Sequence, residues 1–267
     1  MKSFVRKVIF LGLVIVSITM VTSCKQEMET AVEEIQLTEQ EAQIIEQYSE
    51  IGKGHNEKLS ESLAYLREHS HDSLSKDEAV ILTNEFFGFP AETEYKSFNV
   101  NLMSREAEDF SIVQNMFMEG KITEDEKYFM YEIESALKQY NGSYDDIQRR
   151  ITLIQKQAMK VLDEDSLAVV MGYSETAKSS IQYWATEEKE SLSEMRKATG
   201  WELAGLVALA DAAGAAEGIL LAIVLGHPEV QEIAGVLCGA ASSGMTLNNG
   251  EFTLIIPIEK LIALIKG

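Results

Sequence analysis

The residues of this 267-residue chain that could do chemistry are few: four histidines, two cysteines, and some acids in apolar surroundings. His55, His69, His71 and Asp72 carry nitrogen and oxygen donors of the kind that hold zinc. Histidines beside a helix end usually face solvent, so no metal is assigned to them. Ser73-Leu74-Ser75-Lys76 contains the Ser-x-x-Lys spacing of serine acyl-enzymes, but it falls between two helical patterns and is read as a turn. Asp163-Glu164-Asp165 lacks the glycine and terminal glutamate of a calcium loop and reads as the acidic start of a helix. The chain has no His-Glu-x-x-His, Gly-x-Ser-x-Gly, Gly-x-x-x-x-Gly-Lys or Cys-x-x-Cys. No catalytic residue, metal or cofactor is therefore assigned. Cys238, within GVLCGAAS, reads as a small buried thiol.

The elements around these residues are helical. Ser/Thr-x-x-Glu/Asp recurs at Thr38–Glu41, Ser75–Glu78, Thr123–Glu126, Ser143–Asp146 and Thr199–Glu202. In such a pair the hydroxyl accepts from an early backbone N–H and the acid favours the positive end of the helix. Apolar residues then recur three and four apart, as in Ile147, Ile151, Ile154, Ala158 and Val161. Stops stand at Gly88, Gly120 and Asn141-Gly142. Ile51-Gly52-Lys53-Gly54-His55-Asn56 suggests a kink or turn, with His55 and Asn56 capping a helix that runs on through Leu59, Leu63 and Leu66. Phe86, Phe87 and Phe89 read as core packing at a helix end. The pattern predicts an all-α fold of seven or eight helices.

Composition changes near residue 200: no lysine or arginine occurs between Lys197 and Lys260. Residues 38–198 read as an amphipathic helical body and 199–267 as a hydrophobic C-terminal unit. Within the latter, Ala210, Gly214, Gly218, Ala222 and Gly226 fall every fourth residue, as do Gly235, Gly239 and Ser243 after Gly226-His227-Pro228-Glu229. Small residues at that spacing let two helices approach closely, so the segment predicts an antiparallel helical hairpin. Beyond it, Met245 to Ile256 around Asn248-Asn249-Gly250 suggests a small β-hairpin, and Pro257 a last short helix.

Leu203 to Leu225 is long enough to cross a bilayer. Asp211 and Glu217 lie in its middle, roughly 120° apart on a helix. A central acid costs about 2.5–3.5 kcal/mol on the insertion scale, more than single leucines return. The expectation is a hairpin buried in protein, with regulated insertion and a permanent span as alternatives. Buried acids need partners, and Arg149 and Arg150 are the expected ones; the alternative is that both acids reach solvent at a domain edge.

The N-terminus suggests an address. A basic opening with Lys2, Arg6 and Lys7 precedes an apolar run and then Val21-Thr22-Ser23-Cys24, the layout of an export signal. The segment resembles a bacterial lipoprotein signal, which implies acylation of Cys24, removal of residues 1–23 and a tether over 24–37. Lys25-Gln26-Glu27 and the acids after it resemble the surface-export tag of Bacteroidota lipoproteins. That likeness implies an outer-membrane lipoprotein, palmitoylated and exposed at the cell surface. The layout of the mature chain resembles lipoproteins without assigned activity and implies no function. Removing the signal's three basic residues would take the net charge from −20 to −23. So acidic a chain is not expected to bind nucleic acid, and its membrane attachment would come from the lipid on Cys24. Three function classes remain: a tethered, non-catalytic protein that binds an envelope partner, a membrane-active protein whose hairpin inserts, and an enzyme without a recognisable motif.

Overall fold

The computed structural model describes residues 35–69, 76–88, 95–101, 111–140, 143–186, 201–249 and 251–255. In chain order the elements are α1 (Glu39–His69), α2 (Lys76–Phe87), β1 (Tyr95–Asn101), α3 (Ile112–Met118), α4 (Glu124–Lys138), α5 (Tyr144–Ala158), α6 (Glu164–Thr186), α7 (Trp201–Val224), a 3₁₀ turn (Pro228–Val230), α8 (Gln231–Asn249) and β2 (Glu251–Ile255). The fold is all-α, with one two-stranded ribbon beside the helices.

The helix starts follow local chemistry. Thr38 and Glu41 bond reciprocally, each side chain accepting from the other's backbone N–H. Thr123 and Glu126 form the same box at α4. Ser143 accepts from Asp146 at α5, and Asp163 accepts from Ser166 at α6. Ser75 and Thr199 lie outside the described residues. Two helix ends share a different device. Gly120 (φ +72°) donates to Phe117 while Lys121 donates to Met116; Gly226 (φ +75°) donates to Ile223 while His227 donates to Ala222. This paired closure needs a left-handed residue, which glycine adopts without a Cβ clash. It ends α3 and α7 and re-aims the chain after each.

From Leu37 onward the chain is one compact unit. At its centre lies α6, buried on every side from Ala168 to Lys178. It packs against α1, α4, α5 and α7, so it shows no single apolar stripe. The compositional border near residue 200 falls inside the unit, because α7 and α8 complete the core against α6 and α1.

Two expectations are overturned. The glycines of Ile51-Gly52-Lys53-Gly54 do not break a helix; α1 runs straight through them. A Cβ at Gly52 would come within 2.6 Å of the Glu175 carbonyl oxygen, and one at Gly54 within 3.0 Å of Val236. These glycines therefore serve close approach to α6 and α8. The second is the β-hairpin over Met245–Ile256. Met245 to Asn249 continue α8, and Glu251–Ile255 pairs antiparallel with Tyr95–Asn101, from Tyr95 opposite Ile255 to Asn101 opposite Glu251. Asn-Asn-Gly serves a helix end as well as it serves a hairpin, and the partner strand lies six helices upstream, where no local signal reaches. The helix expected from Pro257 lies outside the described residues.

Candidate functional site

The small residues of the C-terminal segment line the seam between α7 and α8. A Cβ at Gly214 would stand 2.5 Å from Ser242 Oγ and 2.6 Å from the Cys238 carbonyl oxygen. One at Gly218 would overlap the Ala234 carbonyl, and one at Gly239 would sit 3.1 Å from the Asp211 carbonyl and 3.0 Å from the His55 ring. Gly235 faces Ile219 across the same seam and Ile51 of α1 beside it. Ala210 and Ala222 are fully buried. Gly226 differs: it has open space around it and supplies the positive φ of the turn. Ser243 lies on α8 one turn beyond Gly239. The helices run antiparallel, as the spacing predicts. Ala204–Val224 is long and apolar enough to cross a membrane, and 78% of its most apolar stretch is buried within the fold.

Asp211 stands at the centre of this construction with no exposed surface. Ser180 of α6 donates to its Oδ2, and Trp184 Nε1 approaches the same oxygen at 3.5 Å. His55 of α1 brings Nε2 to 3.5 Å, an ion-pair distance. The other ring nitrogen of His55 lies 3.0 Å from Asn56 Oδ1, and Asn56 Nδ2 donates to the Ser179 carbonyl at 2.8 Å. Both ring nitrogens thus face oxygen acceptors. The cluster ties α1, α6 and α7 together through polar groups that the hydrocarbon around them would otherwise penalise.

Serine, histidine and aspartate here do not form a nucleophilic triad. The serine bonds to the acid instead of the imidazole, whereas activation requires the base to stand between the two. Ser180, His55 and Asp211 are also fully buried, so no substrate carbonyl reaches Oγ.

Glu217, 6% exposed, is held by Lys121 at 2.5 Å. Lys121 also meets Glu119 at 3.3 Å. The left-handed Gly120 turns the chain so that Lys121 reaches across to α7. The expected partners are corrected by this geometry. Arg149 pairs with Asp146 on its own helix at 2.8 Å, and Arg150 bonds Gln139. A spacing argument along α5 cannot reveal which helix faces α7.

A second polar layer lies between α5 and α6. Gln155 donates to Ser174 at 2.6 Å and to Glu175 at 2.7 Å, while Lys178 bridges Glu175 at 2.6 Å and Gln155 at 3.2 Å. Burial, with the Glu175 carboxylate nearby, pushes the Tyr144 hydroxyl up to about 12. Glu134, nearly buried, accepts from Ser111 and the Val113 amide and pairs with Lys138 at 2.9 Å. Burial and Glu134 together raise the Tyr173 hydroxyl well above its ordinary value. The sequence reading missed these layers. Their one local signal is the polar run Ser174-Glu175-Thr176-Ala177-Lys178 in a helix buried all round.

The remaining candidates are bland. The His69 ring stacks on Tyr65 with centroids 3.9 Å apart, and its Nδ1 lies 2.9 Å from the Tyr65 carbonyl; His71, Asp72 and the serines of Ser73-x-x-Lys76 lie outside the described residues. Among the described residues no group of three His, Cys, Asp or Glu side chains is placed to hold a metal. Phe87 is buried and meets Phe86 edge-on. Cys238 is buried, and burial beside Glu217 pushes its thiol far up, away from the reactive thiolate. Cys24 lies outside the described residues. No protein-family model matches the chain, and no curated protein or solved structure matches it significantly.

Proposed function

We propose that this chain is a lipid-anchored cell-envelope protein that works by binding a partner and not by catalysis. The observation that carries the non-catalytic reading is the condition of its reactive side chains. His55, Ser180 and Asp211 are fully buried and joined to one another, and Cys238 is buried as the thiol. The anchor rests on Val21-Thr22-Ser23-Cys24 behind the apolar run, with a compact unit that begins at Leu37.

The test is metabolic labelling with an alkyne fatty acid in a bacterium that expresses the full chain. The wild type labels and sediments with membranes, and Cys24→Ser abolishes the label and releases the protein. Undiminished labelling of Cys24→Ser would sink the anchor. A second reading is a membrane-active hairpin, favoured by the length and apolarity of Ala204–Val224. Flotation of residues 25–267 with liposomes separates the two. The binding reading expects protein at the bottom of the gradient, and the insertion reading expects it at the top.

A further inference from the structure

The outward face of α4 carries Glu124, Asp125, Tyr128, Tyr131 and Glu132, all exposed. Tyr128 is 58% and Tyr131 50% exposed, while Phe129, Met130 and Ile133 take the inward face. Positions three and four apart on a helix are neighbours, so Tyr128 and Tyr131 share one surface, with Glu124, Asp125 and Glu132 each within about a turn of Tyr128. The Tyr128 ring meets the buried Phe129 edge-on, at 5.1 Å and 82°. At the edge of the same face the fold already displays the chemistry such a surface offers. Lys127 Nζ stands 4.1 Å over the Phe117 ring and bonds Glu124 at 3.2 Å, a cation held by one aromatic face and one carboxylate.

From this we infer that the α4 face is a docking surface for an arginine- or lysine-bearing segment of a partner protein. The inference rests on the binding reading above and names its site and the chemistry of its partner. Charge complementarity selects the occupant. The chain carries 43 acids against 23 basic residues, so it attracts cations at long range, and the two rings give a guanidinium or ammonium group a cation–π contact at short range. An anionic lipid surface or a nucleic acid would be repelled by Asp125 and Glu132, Glu124 being paired with Lys127. Tyrosine also loses little conformational freedom on binding, so it is enriched in contact surfaces.

The probe is a fluorescent (Arg-Gly)₅ peptide, titrated by anisotropy against residues 25–267 in moderate salt, with (Glu-Gly)₅ as control. The wild type binds the arginine peptide saturably. Tyr128→Ala with Tyr131→Ala weakens binding about fivefold or more. Asp125→Asn with Glu132→Gln weakens it and flattens its salt dependence. Glu57→Gln with Glu68→Gln removes the same charge from the exposed face of α1 and leaves affinity within about twofold. The substituted side chains are exposed, so unchanged circular dichroism is expected of every variant. Equal losses from the α1 and α4 charge pairs, with none from the tyrosine pair, would overturn the site by reducing it to bulk charge. Absence of saturable binding by the wild type would overturn it as well. Either result leaves the lipid anchor standing, because that depends on the labelling of Cys24.

Discussion

Asp211 and Glu217 share a helix and an apolar setting, yet their surroundings differ enough to predict different costs of mutation. Asp211 is fully enclosed by Ser180, Trp184 and His55. Replacing its carboxyl group takes that acceptor away from the Ser180 hydroxyl and the His55 ring in the core, and an unsatisfied buried polar group costs about 1–3 kcal/mol. Asp211→Asn should lower the urea midpoint accordingly, with an unchanged slope; a midpoint equal to the wild type would show that the pair contributes nothing. Lys121 is 28% exposed at its side chain, so Lys121→Ala should cost less, about 1–2 kcal/mol, and adding Glu217→Gln should recover part of that. Tyr144 contributes to the pH dependence at the alkaline end, as does the buried Tyr173, raised well above its ordinary value. Its folded-state value is raised to about 12 from an ordinary 10. A raised value means that the folded state favours the proton. The stabilisation is complete below about pH 10 and is lost as pH rises through 12. Absorbance at 295 nm and helical circular dichroism should change together in that window, and Tyr144→Phe should move the loss of helix to higher pH. Of these residues, the sequence showed that the two acids must be accommodated. It could not show by what, since His55, Ser180 and Lys121 come from three other parts of the chain.

The helices themselves were legible because their signals are local. The boxes at Thr38 and Thr123 and the cap at Ser143 formed as their spacing requires. The four-residue rhythm of glycine and alanine in α7 and α8 is likewise a property of one surface, and it foretold the antiparallel seam. The features that stayed hidden involve a second element. Gly52 and Gly54 looked like helix breakers because what they make room for, the Glu175 carbonyl of α6 and the Val236 side chain of α8, lies far away in sequence. Glu251–Ile255 looked like half of a hairpin because its partner strand precedes α3. The two uses of glycine predict opposite responses to one methyl group. Gly218→Ala drives a Cβ into the Ala234 carbonyl and should cost about 2–3 kcal/mol in thermal or chemical melts. Gly120→Ala meets nothing and should cost about 1–2 kcal/mol, the strain of a left-handed alanine. Equal costs at the two sites would show that the seam relaxes easily.

At the scale of the whole molecule, composition misleads. The change near residue 200 looks like a domain border, yet α7 and α8 supply one wall of the core around α6, and α1 supplies another. Residues 25–198 alone should therefore lack cooperative unfolding and fall rapidly to protease, while 25–267 melts in one transition. A fragment 25–198 with a sharp melt of its own would restore the border. The closing of α1 against α8 has a temporal consequence as well. Ile51, Gly54 and His55 meet Gly235, Val236 and Gly239, so the first described helix to be made, though packed on α6, gains the rest of its cover only when the last one arrives. Contacts of such long sequence separation slow folding and leave apolar surface open meanwhile. For a chain made from its N-terminus onward, this part of the core closes only once α8 has been made. Delivery of α8 is thus the step that lets the seam with α1 and α7 form, whatever has folded before it.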